Sequence, residues 1–116
     1  MYKVMIVGHG FVGSAVASLF SEKEKVIVDP KFSDSKISDN PGIPFDAVFV
    51  SVDTPKAEGF KLLDSILQEL DYNMVEGTPV CCKSTATPEF YYNVSQKYKN
   101  IKIAVSYTHL TLPTKA

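Results

Sequence analysis

The chain has 116 residues, a formal net charge of −1 at pH 7, 45% hydrophobic residues and two cysteines. That length bounds one domain, able to bury about two-thirds of its unfolded surface, while the balanced charge excludes the basic footprint of a nucleic-acid binder. All twelve basic residues are lysines, so the bidentate fork of arginine is missing and a bound phosphate must lean on backbone N–H groups. No stretch is apolar for the length of a bilayer span, and the start lacks the charged region and cleavage site of a secretory signal. A cytoplasmic protein without membrane contact is expected.

In chain order, Lys3-Val4-Met5-Ile6-Val7 is an apolar, β-branched run that predicts a strand. Gly8-His9-Gly10-Phe11-Val12-Gly13 follows at once, and Val12, Ala15, Val16, Leu19 and Phe20 then recur at helical spacing. Val26-Ile27-Val28 predicts a second strand, ending in Asp29. Residues 30–46 carry Pro30, Pro41, Gly42 and Pro44 among Ser and Asp, which predicts a loop with at most one helical turn. Within it Lys31 or Lys36 is a candidate to neutralise ligand charge, although a solvated lysine is the plainer reading.

Phe45-Asp46-Ala47-Val48-Phe49-Val50-Ser51-Val52 is a near-continuous apolar run, the pattern of a strand covered on both faces of a parallel sheet, and it ends in Asp53-Thr54-Pro55. Residues 60–72 set Leu63, Ile66, Leu67 and Leu70 on one helical stripe, with Gly59 or Asp64 as the candidate start. Pro79-Val80-Cys81-Cys82-Lys83 predicts another strand, leading into Ser84-Thr85. Adjacent strand residues face opposite ways, so the two thiols should diverge, and their spacing suits neither zinc nor a redox pair. No metal site is expected. Thr87-Pro88-Glu89 has the residues of a helix start, with Phe90, Tyr91, Val94 and Tyr98 on the buried side. Ile101-Lys102-Ile103-Ala104 begins a last strand.

Strands alternating with helices predict an α/β fold, a Rossmann-type doubly wound parallel sheet of about five strands in the order 2-1-3-4-5. In such sheets ligands bind beyond the carboxyl ends of the strands. Here those ends carry Gly8–Gly13, Asp29, Ser51–Thr54 and Ser84–Thr85. Each element of the first unit has a physical task. Gly8 permits a tight turn, Gly10 lets a pyrophosphate approach the backbone, and Gly13 lets the helix pack closely. The helix N-terminus offers N–H groups to phosphate. Asp29, about twenty residues past Gly8, is placed to accept ribose hydroxyls. An acid there favours NAD over NADP, because it repels a 2′-phosphate.

Four segments together resemble the NAD-binding domain of the UDP-glucose/GDP-mannose dehydrogenase family: KVMIVGHGFVG, Asp29 after the second strand, FDAVFVSVDTP and KSTATPE. The resemblance spans residues 3–89. It implies that Gly8, Gly10 and Gly13 hold the pyrophosphate of NAD with Phe11 and Val12 lining the site, and that Asp29 takes the adenosine ribose. It further implies that Thr54 contacts the cofactor near its nicotinamide half, and that Thr85 sits near the reacting centre in a catalytic, positioning role. The family oxidises UDP-glucose or a similar sugar nucleotide to the uronate in two NAD-dependent steps, through a thioester on a cysteine.

The chain departs from the family at His9, where an apolar residue is usual, at Asp53, and in the short 30–46 segment. The family's catalytic Glu, Lys, Asn and Cys have no counterpart in it, and Cys81 and Cys82 do not match the nucleophile's motif. Val105-Ser106-Tyr107-Thr108-His109-Leu110-Thr111-Leu112-Pro113-Thr114 looks like a translated sequencing adapter. Residues 1–104 are therefore taken as an incomplete NAD-binding domain and 105–116 as a non-native tail. The expected partner of this chain is NAD; the sugar nucleotide belongs to a longer parent protein, of which an oligomer is also expected, through elements this chain lacks. Two alternatives stay open: part of a β-hydroxyacid dehydrogenase, or an NAD-sensing domain without catalysis.

Overall fold

The structure is a computed structural model that describes residues 3–52 and 57–105. Residues 53–56, which include Asp53 and Thr54, and the adapter-like residues after Val105 lie outside the described residues. The elements in order are β1 (Val4–Val7), α1 (Phe11–Ala17), β2 (Lys25–Val28), β3 (Ala47–Val50), α2 (Ala57–Asn73), β4 (Thr78–Cys82), α3 (Pro88–Lys97) and β5 (Ile101–Val105). Single 3-10 turns at Glu22–Glu24 and Ile37–Asp39 interrupt the loops. All pairings are parallel, in the order β2-β1-β3-β4-β5. The fold is a Rossmann-like α/β sheet, as the alternation of strands and helices predicts.

Right-handed crossovers decide which face each helix covers. The steps from β3 to β4 to β5 run one way and put α2 and α3 on one face. There Met5, Val7, Val48, Val50, Val80 and Cys82 pack with Leu63, Leu67, Leu70, Tyr91 and Val94. The step from β1 to β2 runs the other way and puts α1 on the opposite face, where Val4 and Ile6 meet Val16 and Ala17. Each large side chain buried in this way contributes about 1.5–3 kcal/mol. The face opposite α2 and α3 is less covered beyond β3: Pro79, Lys102 and Ala104 are exposed and Cys81 is half-buried.

Two local expectations are corrected. The helix after the glycine turn ends at Ala17, so its inward stripe is Gly13, Val16 and Ala17, while Val12, Ala15 and Leu19 face solvent. The Lys25 ammonium explains the early stop. It donates to the Ala17 carbonyl at 2.9 Å and the Phe20 carbonyl at 3.1 Å, closing the helix's negative end. Neither Gly59 nor Asp64 starts α2, which begins at Ala57. The Asp64 carboxylate instead reaches α3, accepting from the Tyr98 hydroxyl at 2.6 Å and from Lys97 at 3.1 Å.

The start of α3 follows its sequence, with the Thr87 hydroxyl accepting from the Phe90 N–H at 3.1 Å and Pro88 in the first turn. Replacing Thr87 by Ala should cost about 1 kcal/mol of stability in urea unfolding. The two thiols diverge, Cys82 being buried and Cys81 half-buried. Burial, followed by the neighbouring Cys81, pushes the Cys82 thiol up to about 12. Alkylation of the native chain at pH 8 should therefore modify Cys81 and spare Cys82, with both modified in denaturant. Mass spectrometry reads the result, and equal native labelling would contradict the packing.

Candidate functional site

Because all five strands run parallel, the carboxyl ends of β1, β2, β3 and β4 meet at one edge of the sheet. Hydrogen bonds extend the ladder just past the strands: Gly8 N–H to the Val28 carbonyl (2.9 Å), Ser51 N–H to Val7 (2.9 Å) and Lys83 N–H to Val50 (2.7 Å). The Gly8 turn is thus stitched to β2 on one side, and β3 is stitched to β1.

The three glycines of the turn have different tasks. Gly8 has φ +96°, and a Cβ on it would run into the Ser51 carbonyl. A Cβ on Gly13 would run into the Gly8 carbonyl and stand 3.0 Å from Ser51 Oγ. Both positions are closed by the protein's own backbone. Around Gly10, apart from the residue itself and its two chain neighbours, no heavy atom of the described residues lies within 4 Å of where a Cβ would stand. Its side is open, which is the property a closely approaching ligand needs. The helical ladder begins with Ser14 N–H donating to Gly10 O at 2.8 Å, so the N–H groups of Phe11, Val12 and Gly13 have no acceptor within the helix. Phe11 is 92% exposed and Val12 45%, both at the rim of the turn.

Asp29 stands just past β2, and its carboxylate is already at work. Oδ2 accepts the His9 N–H at 2.6 Å and Oδ1 accepts the Lys31 N–H at 2.8 Å. The His9 hydrogen bond first, then that of Lys31, hold the carboxyl below its ordinary value against the opposing effect of burial. Each oxygen keeps a second lone pair for an incoming hydroxyl. The backbone carbonyl of Asp29 accepts from the N–H groups of Phe32 (3.0 Å) and Ser33 (2.8 Å). This folds the next turn back so that the Phe32 ring stacks on the His9 imidazole, centroids 3.8 Å apart and planes 29° apart.

At the ends of β3 and β4, buried Ser84 ties the two strands. Its Oγ accepts the Val52 N–H at 2.9 Å, and its carbonyl accepts the Tyr91 hydroxyl. Thr85 follows at an exposed position. Ser51 Oγ is buried and has no hydrogen-bond partner among the described residues. The structure therefore gathers Gly8, Gly10, Phe11, Val12, Gly13 and Asp29 in one unit, with Thr85 on the same edge; Thr54 lies outside the described residues. Lys31 and Lys36 are exposed. Lys36 lines a cavity of about 340 Å³ with Val28, Pro30 and Glu69, to which none of residues 8–13 contributes.

Sequence reasoning missed Phe32, and it placed Ser51 and Ser84 at the strand ends without the roles they take. The available signal for Phe32 was an aromatic three residues past the acid in an otherwise polar segment. For Ser84 and Ser51 the strand-end position was legible but not the contacts, which join segments far apart in the chain.

The chain is similar to a crystal structure from Mycobacterium avium 104, provisionally assigned as an oxidoreductase, with a TM-score of 0.71 at 18% identity over 90% of this chain. The likeness is one of fold. This chain spans about 41% of that protein's length. No family profile and no curated protein matches the sequence. Among the described residues no helix is long and apolar enough to cross a membrane.

The residues present fit a dinucleotide. The open side of Gly10 and the N–H groups at the start of α1 are what a pyrophosphate would use. Gly10→Ala should leave stability within about 1 kcal/mol of wild type and weaken dinucleotide binding. Gly13→Ala should unfold the turn at a cost of about 1–3 kcal/mol or more. Thermal melts and calorimetry separate the two variants.

Asp29 gives a pH signature. Its folded value lies below the ordinary 3.8, so the stability it contributes is present above that value and is lost as pH falls through the depressed one. The gap in urea midpoint between wild type and Asp29→Asn should hold from pH 7 to 5 and narrow below pH 4. A gap that persists unchanged to pH 2.5 would contradict the assignment.

Proposed function

We propose that this chain binds NAD and is the dinucleotide-binding part of a nucleotide-sugar dehydrogenase of the UDP-glucose 6-dehydrogenase type. One observation carries the reading of a cofactor site. The Asp29 carboxylate is hydrogen-bonded to the His9 N–H inside the Gly8–Gly13 turn, so acid and phosphate cradle are held as one unit beside the open face of Gly10. The backbone N–H groups at Phe11, Val12 and Gly13 take the pyrophosphate. Asp29 accepts the adenosine ribose hydroxyls, and its lowered pKa keeps it ionised throughout the neutral range, which disfavours a 2′-phosphate. Bound NAD supplies the hydride acceptor for oxidation of an alcohol. Thr54 would lie toward the nicotinamide half, and Thr85, next to the Ser84 clasp, toward the reacting centre, where its hydroxyl positions a group or a water.

The sugar-nucleotide substrate is supported by the segments SVDTP and KSTATPE, which resemble that family more than other dehydrogenases. The family's Cys, Lys, Asn and Glu are not represented in residues 1–104, so the chain alone should bind cofactor and turn nothing over.

Calorimetry tests the cofactor. NAD should bind at least about tenfold more tightly than NADP, and Asp29→Asn should lose about tenfold of the NAD affinity, the worth of a hydrogen bond to a charged acceptor. Failure of the folded chain to bind NAD at millimolar concentration would sink the reading. The substrate class is tested by sequencing the locus past codon 104, where a Pro-Glu-Phe-Leu-type loop followed by a cysteine-bearing second half is expected; an immediate stop would favour a sensor.

A further inference from the structure

We infer that Phe32, braced from behind by His9, is the platform on which the adenine base of the dinucleotide stacks; this rests on the reading of Gly8–Gly13 and Asp29 as a dinucleotide site. One face of the ring is covered by the imidazole at 3.8 Å, yet Phe32 is 58% exposed. The opposite face is therefore open. Among the described residues Phe32 belongs to neither hydrophobic cluster of the core, so core packing there does not explain an apolar ring at this position.

Its location matches the base rather than any other part of the ligand. Adenine is bonded directly to the ribose whose hydroxyls Asp29 would accept, so the base must lie within one sugar of that carboxylate. The backbone turn that returns the N–H groups of Phe32 and Ser33 to the Asp29 carbonyl brings the ring back toward the glycine turn. The same Asp29 holds the His9 N–H from the other side. Carboxylate, imidazole and ring are thus one braced unit, presenting an acceptor for the sugar next to a π-face for the base. Residues 30–36, Pro-Lys-Phe-Ser-Asp-Ser-Lys, hold no other aromatic. The stack on His9 also restricts the ring before the ligand arrives, which lowers the ordering cost of binding. A stacking contact of this kind discriminates little between bases, because each has a π-face, so Phe32 adds affinity while Asp29 selects the sugar.

The test uses the full 116-residue chain and three probes: NAD, AMP and nicotinamide mononucleotide. Phe32→Ala and Phe32→Leu should bind NAD and AMP about tenfold more weakly and leave nicotinamide mononucleotide unchanged. His9→Ala, which removes the brace, should lose less. The chain contains no tryptophan, so Phe32→Trp introduces a single fluorophore; it should retain NAD affinity, and its emission should be quenched by AMP but not by ribose 5-phosphate. Unaltered AMP binding by Phe32→Ala, equal loss of all three probes, or no AMP-dependent quenching overturns this inference alone. Failure of wild type to bind either NAD or AMP overturns the dinucleotide reading and this inference with it.

Discussion

The contact between Gly13, the carbonyl of Gly8 and Ser51 sets the rest of the site. A helix can leave a β-strand at this angle only if two backbones touch with no side chain between them, and the third strand must approach from the other side at the same point. With Gly8 at φ +96° and no space for a Cβ at either position, α1 is drawn down onto the end of the sheet. Its first N–H groups are thereby aimed outward past Gly10, the one glycine of the three that the protein's own packing leaves uncovered. The geometry that makes the turn compact also leaves the Gly10 side of it open.

Asp29 couples that turn to the next strand. Its carboxylate accepts two backbone N–H groups, one from the glycine turn and one from its own loop. It holds the turn closed, it stays ionised because both donors favour the charged form, and it keeps lone pairs for a ligand. Ser84 plays the matching part across the sheet, where its hydroxyl and carbonyl join the ends of β3 and β4 to α3. The edge of the sheet is thus held by side chains as well as by the strand ladder, and the rim positions, Phe11 and Thr85 among them, stand on a rigid base.

The unequal cover of the two faces follows from handedness. Crossovers on one side of β1 place α2 and α3 together, so β3, β4 and β5 are thickly covered on that face, and the thiol of Cys82 is sealed there. On the other face α1 packs against β1, and Phe20 beyond its end joins Ile27 of β2 and Ala47 and Phe49 of β3 around that contact.

Much of this was legible in the residues. Strand order followed from alternating strands and helices under the right-handed rule, the tight turn at Gly8 and the close packing at Gly13 from their spacing, the divergence of the cysteines from strand periodicity, and the cap of α3 from Thr87-Pro88-Glu89. These are local properties, set within one turn or one strand. The end of α1 was not legible, because it depends on a lysine eight residues beyond Ala17 reaching back to its carbonyl; nor was the start of α2, because Asp64, which looks like a cap, is drawn across to α3. The glycine turn and its acid, and hence the kind of ligand expected, were determined by sequence alone. Only the tertiary structure decided that Asp29 braces the turn it serves, that His9 is stacked rather than free, and that Phe32 stands beside them with one face open, since each of these contacts joins segments that meet only when β1 and β2 lie side by side.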